Sequence, residues 1–210
     1  MLKHSAANNR LLRDDARFDP WTLRWVADAG THADAREIGV LDALAWLYEQ
    51  PDARRVPVAV IGPGEAADHH RITAEDLGRR LGDLGVPMLS GGRTGVMEAA
   101  SRGNRAAGGL PIGILPGTDW EEANPYVAIP LATGIGEARN AIIARAALAL
   151  IAVGGEYGTL SEMALGLRFG RLVLALEDAP DVAGAVRCPD VDTALKHLAG
   201  RILGLDDRDD

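Results

Sequence analysis

Cysteine is nearly absent: Cys188 is the only one in 210 residues. No internal disulfide can form, which fits a reducing compartment. Positive charge is also in deficit, with 22 Lys and Arg against 30 Asp and Glu and a net charge of −8 at pH 7. Such a balance argues against a broad footprint on a nucleic-acid polymer, although local basic residues can still hold a small anion. No apolar run approaches the roughly 18 residues that a membrane-spanning helix needs. The opening stretch, MLKHSAANNRLLRDDARF, lacks the apolar core of a signal peptide. These absences lead to the expectation of a cytoplasmic protein with no membrane partner. The turns carry neither the GxGxxG fingerprint of dinucleotide sites nor a GxxxxGK[ST] loop, so a nucleoside triphosphate with its magnesium is not expected. No cluster of carboxylates or cysteines suggests a metal ligand set, and no metal is expected.

Hydrophobic residues make up 47% of the chain, enough for one α/β domain with a sizeable core. From Val56 onward the pattern is regular. Val56–Ile61, Pro87–Leu89, Pro111–Leu115, Leu148–Val153 and Arg171–Leu176 read as strands, and Tyr126–Leu131 as a further short one. Between them Ala74–Leu84, Val96–Ala107, Glu137–Ala147 and a stretch opening at Thr159 have helical spacing, and Val191–Leu203 closes the series. Strands that alternate with helices imply a mainly parallel sheet covered on both faces, a Rossmann-like three-layer sandwich. Residues 1–55 read as an N-terminal helical arm. Trp21, Leu23, Trp25 and Val26 there could pack on the domain or on a partner subunit, and 33–49 has Ile38, Leu41 and Leu44 on one helical face. Residues 56–205 form the α/β domain, and 206–210 an acidic tail.

In a parallel sheet, ligands bind at the carboxyl ends of the strands. Three glycine-rich turns fall there: Gly62-Pro63-Gly64, Gly91-Gly92-Arg93-Thr94-Gly95 and Gly154-Gly155-Glu156-Tyr157-Gly158. Backbone N–H groups at a helix start can bind an anion, and glycine lets a phosphate come close. The short turns suggest a single phosphate. Gly62, Gly91, Gly92, Thr94, Gly154, Gly155, Gly158 and Thr159 are the candidate phosphate and ligand contacts. Thr159 could cap its helix, bind phosphate, or do both. Arg139 sits at a predicted helix start, where a cation opposes the helix dipole by about 0.3–1 kcal/mol. Gripping a phosphate, orienting a carboxylate or making a surface ion pair would each account for it. Glu162 is placed in the first turn of its helix, away from the stripe of Leu160, Met163, Ala164 and Leu167, and so faces a ligand. Glu98 is a weaker candidate of the same kind. His69 and His70 read as solvated loop residues. Ser90 has no identifiable base, and Cys188 no nucleophilic role.

The segment from about Val58 to Leu176 resembles the LOG family, the cytokinin-riboside-monophosphate phosphoribohydrolases long mislabelled lysine decarboxylases. GGEYGTLSE matches that family's PGGxGTxxE loop with Gly154 at the proline and Glu156 at the second glycine, while Gly158, Thr159 and Glu162 agree. Arg139 falls on the arginine of an upstream Arg-Lys pair, and Asn140 replaces the lysine. SGGRTGVMEAASRGNRAAGG resembles a further family segment, followed likewise by a strand ending Ile-Leu-Pro. The variant pattern looks closer to a sister branch that includes uncharacterised bacterial nucleotide-binding proteins and molybdenum-cofactor carrier proteins. The resemblance implies a small phosphorylated ligand, and a homodimer or higher homo-oligomer. It also implies catalytic roles for Glu162 and Arg139 in hydrolysing the N-glycosidic bond of a nucleoside 5′-monophosphate. No cofactor is required in that reading. In the carrier reading the molybdenum cofactor is the bound ligand and is not turned over. A purely structural or regulatory oligomer is a third reading.

Overall fold

The computed structural model describes residues 1–206, so the expected acidic tail lies outside the described residues from 207 onward. The chain forms two compact units, Met1–Arg55 with the residues from Leu195 onward, and Val56–Ala194.

The first unit corrects the expected helical arm. It contains β1 (Leu2–Ser5), β2 (Arg10–Arg13), β3 (Ala16–Asp19), β4 (Arg24–Ala27), β5 (Arg36–Glu37) and a single helix of its own, α1 (Val40–Glu49). The strands form an antiparallel sheet in the order β4-β3-β2-β1-β5. Asn9 and Asp14 turn the first two hairpins with φ of 49° and 53°, a conformation that Asn and Asp tolerate better than most residues. The helix expected over 33–49 starts only at Val40, because Glu37 pairs with Lys3 of β1. Trp25 packs edge-on against Phe18 at 5.1 Å and donates its indole N–H to the Leu203 carbonyl, so it is engaged within its own unit.

The second unit contains β6 (Val58–Ile61), α2 (Asp68–Asp83), β7 (Met88–Ser90), α3 (Val96–Ala106), β8 (Ile112–Leu115), β9 (Ile129–Ala132), α4 (Asn140–Ala146), β10 (Ala149–Val153), α5 (Tyr157–Arg168), β11 (Leu172–Leu176) and β12 (Val186–Arg187). The start of α6 (Val191–Ile202) also belongs to it. All seven strands are parallel, in the order β12-β11-β10-β6-β7-β8-β9, and helices flank the sheet. This is the α/β, Rossmann-like layout expected from the alternation. β6 and β10 are buried at every position, which is why their sequences are continuously apolar. The chain runs outward from β6 to β9, then returns to lay β10 on the other side of β6. That reversal opens a crevice between the ends of β6 and β10.

Helices α2 and α3 meet through glycine. A Cβ on Gly78 would lie 2.0 Å from the Ala100 carbonyl oxygen, and one on Gly103 would lie 2.0 Å from that of Glu75. Each helix therefore presses its backbone against the other's. Among the described residues, no helix is long and apolar enough to cross a membrane.

Candidate functional site

Three loops leave the carboxyl ends of the adjacent strands β10, β6 and β7 and wall a cavity of about 410 Å³. Gly62, Gly91, Thr94, Gly158, Thr159, Arg139 and Glu162 line it. Gly92, Gly154 and Gly155 do not, although they were candidates from the sequence. Their work is structural. Gly92 backs onto Leu115 and Gly113. Gly154 has φ +59°, and a Cβ there would sit 2.6 Å from the ring of His70. A Cβ on Gly155 would strike Thr159.

Helix α5 starts at Tyr157, earlier than its spacing suggests, and Glu156 is its cap residue without a capping hydrogen bond. Thr159 is therefore inside the helix and does not cap it. The first intrahelical bond runs from the Leu160 N–H to the Glu156 carbonyl. Helix geometry leaves the N–H groups of Tyr157, Gly158 and Thr159 with no intrahelical acceptor, and Gly158 and Thr159 stand at the cavity. The earlier start also moves Glu162 into the second turn and onto the buried face with Thr159, Met163 and Gly166, while Leu160 and Ala164 are exposed. The expected stripe is thus displaced, because glycine at 158 reads as turn although it is helical. With Glu162 beyond the first turn, a favourable interaction with the helix dipole no longer accounts for it.

Arg139 ends a short 3-10 turn, Gly136–Arg139, immediately before α4. Its guanidinium lies across Gly91, where a Cβ would come within 2.8 Å of Nη2. Nη1 is 3.8 Å from Glu162 Oε1 and 3.6 Å from Glu137 Oε2, and Nε is buried without a partner among the described residues. Both Arg139 and Glu162 are 6% exposed. Burial pushes the Glu162 carboxyl from 4.5 up to about 7; Arg139 pulls it down and Glu137 adds to the rise.

A consequence for stability follows. The folded value exceeds the unfolded one, so between these two pH values the folded chain keeps a proton that the unfolded chain has lost. The stabilisation is complete below pH 4.5 and is lost as pH rises through about 7, amounting to about 3 kcal/mol. Urea denaturation on either side of that window should show the loss in the wild type and not in Glu162→Gln. Equal slopes for the two proteins would refute the assignment.

Asn140, at the position of the family's lysine, is buried. It donates Nδ2 to Ser161 Oγ at 3.1 Å, and Ser161 donates to the Gly158 carbonyl at 2.7 Å. The relay ties α4 to α5 and leaves Asn140 Oδ1 buried without a partner among the described residues. Glu156 is exposed and lines the cavity. Thr94 gives its hydroxyl to the Gly64 carbonyl, joining the first and second turns. Glu98 lines a neighbouring cavity with Arg71 and Arg102. Ser90 is buried and accepts from the Gly92 N–H, and burial pushes the Cys188 thiol upward, so neither is a nucleophile. His69 and His70 correct the expected solvated loop pair: both lie in the first turn of α2, and His70 is buried. Glu65, Arg93, Met97 and Glu137 also line the main cavity. Their only signal in the sequence was proximity to the glycine turns and to Arg139.

The profile of the SLOG cluster4 family matches residues 55–196. An uncharacterized protein from Archaeoglobus fulgidus is 39% identical over 127 residues, 60% of this chain and 83% of that protein. A probable cytokinin riboside 5′-monophosphate phosphoribohydrolase, LOGL5 from Oryza sativa subsp. japonica, is 33% identical over 104 residues, 48% of this chain and 42% of that protein. The structure of the molybdenum cofactor carrier protein from Chlamydomonas reinhardtii superposes with a TM-score of 0.66 at 33% identity, covering 71% of this chain and 99% of that one.

Proposed function

The chain belongs to the SLOG cluster4 family, and from that premise we propose that it binds a phosphorylated small molecule, a nucleoside monophosphate or similar, in the crevice above β6, β7 and β10. One observation carries the reading: the uncapped start of α5 and the buried Arg139 face the same cavity of about 410 Å³, a volume suited to one small ligand. The phosphate takes the N–H groups of Gly158 and Thr159 and the positive end of the helix. The Arg139 guanidinium supplies the charge that the helix terminus alone lacks.

Glu162 extends the reading toward hydrolysis of a nucleoside 5′-monophosphate. A carboxyl that titrates near neutrality can both take and give a proton at working pH. It takes a proton from water as the water oxygen bonds to the ribose anomeric carbon; the N-glycosidic bond breaks, the base takes a proton from solvent, and Glu162 returns its proton to solvent to close the cycle. Arg139 holds the phosphate and keeps Glu162 in place. A second reading is binding without turnover, with a molybdenum-cofactor pterin as cargo and its phosphate at the same helix start. Asn140 favours it, because a neutral side chain committed to Ser161 stands where the family's hydrolases carry a cation. The likeness to the Chlamydomonas carrier supports it too. In either case the protein is a homodimer or higher oligomer. The exposed Tyr157 and Leu160 support that assignment, and light scattering tests it.

Native mass spectrometry of the purified full chain, together with incubation in AMP, separates the readings. Adenine release that Glu162→Gln abolishes supports hydrolysis. An intact phosphorylated molecule that co-purifies, without adenine release, supports carriage. Failure to bind AMP or any co-purifying phosphorylated molecule overturns both.

A further inference from the structure

Helix α2 begins beside the turn that follows β11, and three side chains with metal-binding atoms meet there. His69 and His70 come from the helix and Asp178 from the turn, with one donor atom of each within 4.8 Å of the others. We propose that these three residues form a binding site for a divalent cation of the zinc class, separate from the cavity and independent of its ligand.

The donor set fits the ion. Zinc takes imidazole nitrogen and carboxylate oxygen at about 2.0–2.2 Å, which in a tetrahedron sets neighbouring donors about 3.4 Å apart. His70 Nε2 and Asp178 Oδ1 are 2.5 Å apart, so a cation replaces their shared proton with a small separation of the two. His69 is exposed, with its ring 4.0 Å from that of His70, and it closes the remaining distance by a side-chain rotation. Three protein donors leave the fourth position for water. The α2 dipole opposes a cation at this end, and the Asp178 carboxylate offsets it.

The turn is built to present Asp178. Glu177 holds φ at +55°, a left-handed conformation that a glutamate adopts at a cost. Arg187 maintains it by donating to the Glu177 carbonyl at 2.8 Å and to the Ala179 carbonyl at 2.6 Å. Thr73 of α2 donates to the Glu177 carboxylate from the other side. His70 is buried, and its Nδ1 has no partner among the described residues. A simple His70–Asp178 ion pair would require neither the second histidine nor the strained turn. Occupancy would fasten α2 to the end of β11. It would also clamp the imidazole against Gly154, two residues before Glu156 at the cavity wall.

The test uses the untagged full chain, stripped with a chelator and titrated with Zn²⁺ by calorimetry and with Co²⁺ by visible absorption. One equivalent should bind, with the Co²⁺ spectrum reporting nitrogen and oxygen ligands. His69→Ala and Asp178→Asn alter exposed side chains and leave the fold intact. Each should weaken Zn²⁺ binding by more than about tenfold, the least that loss of a direct ligand is expected to cost. Absence of stoichiometric binding, or either variant within tenfold of the wild type, overturns the site.

Discussion

Arg139→Met should weaken AMP binding by at least about 30-fold in calorimetry, the low end of the about 2–5 kcal/mol lost when one partner of a buried charge pair is removed. The guanidinium is buried, has an Nε without a partner among the described residues and lies over Gly91 on the cavity wall. Arg93 also lines the cavity but is exposed, whereas Arg139 is buried and its neighbour on α4 is the neutral Asn140. Methionine keeps much of the stem's apolar volume and removes the charge together with its N–H donors. The fold should survive, because Glu162 already titrates at about 7 and takes up a proton when its cation is gone. The variant should therefore unfold cooperatively near the wild-type midpoint at mildly acidic pH. Wild-type affinity for AMP in a folded Arg139→Met protein would refute the phosphate role.

Gly103→Val should leave the chain unfolded or insoluble, at a cost above about 4 kcal/mol, the range reserved for gross core disruption. A Cβ at this position would lie 2.0 Å from the Glu75 carbonyl oxygen and 2.8 Å from the Arg79 nitrogen. Both are backbone atoms of α2, so no side-chain rotation relieves the overlap. The helices would have to move apart, opening an interface that Gly78 closes from the other side. Gly158→Ala provides the comparison, since its Cβ would meet open space and φ there is not positive. Urea denaturation should show little change for it. A soluble Gly103→Val protein with the wild-type midpoint would mean that the helices are not in this contact.

What the sequence disclosed depended on how completely a segment is buried. β6, β10 and β11 announce themselves as apolar runs because a parallel sheet covers both their faces. The four-residue strands of the N-terminal sheet mix basic residues with one to three apolar residues each and make no long apolar run. Their hairpin turns, at Asn9 and Asp14, read as loop until the strands on either side are known. β12 is two residues long and gives no periodic signal. At the site, composition marked the glycine turns but not which glycines border the cavity. Gly92 and Gly154 hold positive φ and back onto Leu115 and His70, whereas Gly91 and Gly158, without positive φ, border the cavity. The inward turn of Glu162 depended on where α5 begins. The approach of Asp178 to His70 crosses 108 residues, beyond the reach of any local pattern.

The reversal in strand order also bears on how the chain assembles. β6 pairs with β7 across about thirty residues, Ala59 with Leu89, yet its partner on the other side is β10, where Ala59 meets Leu150. Loop-closure entropy rises with the length enclosed, so local pairings form ahead of distant ones. The β6–β10 seam is therefore a late event in folding, after the β6–α2–β7 unit has a face to offer. The crevice exists only once that seam is closed. A molecule bound there holds together the two halves that the chain joins last, and so opposes the opening that would come first in unfolding.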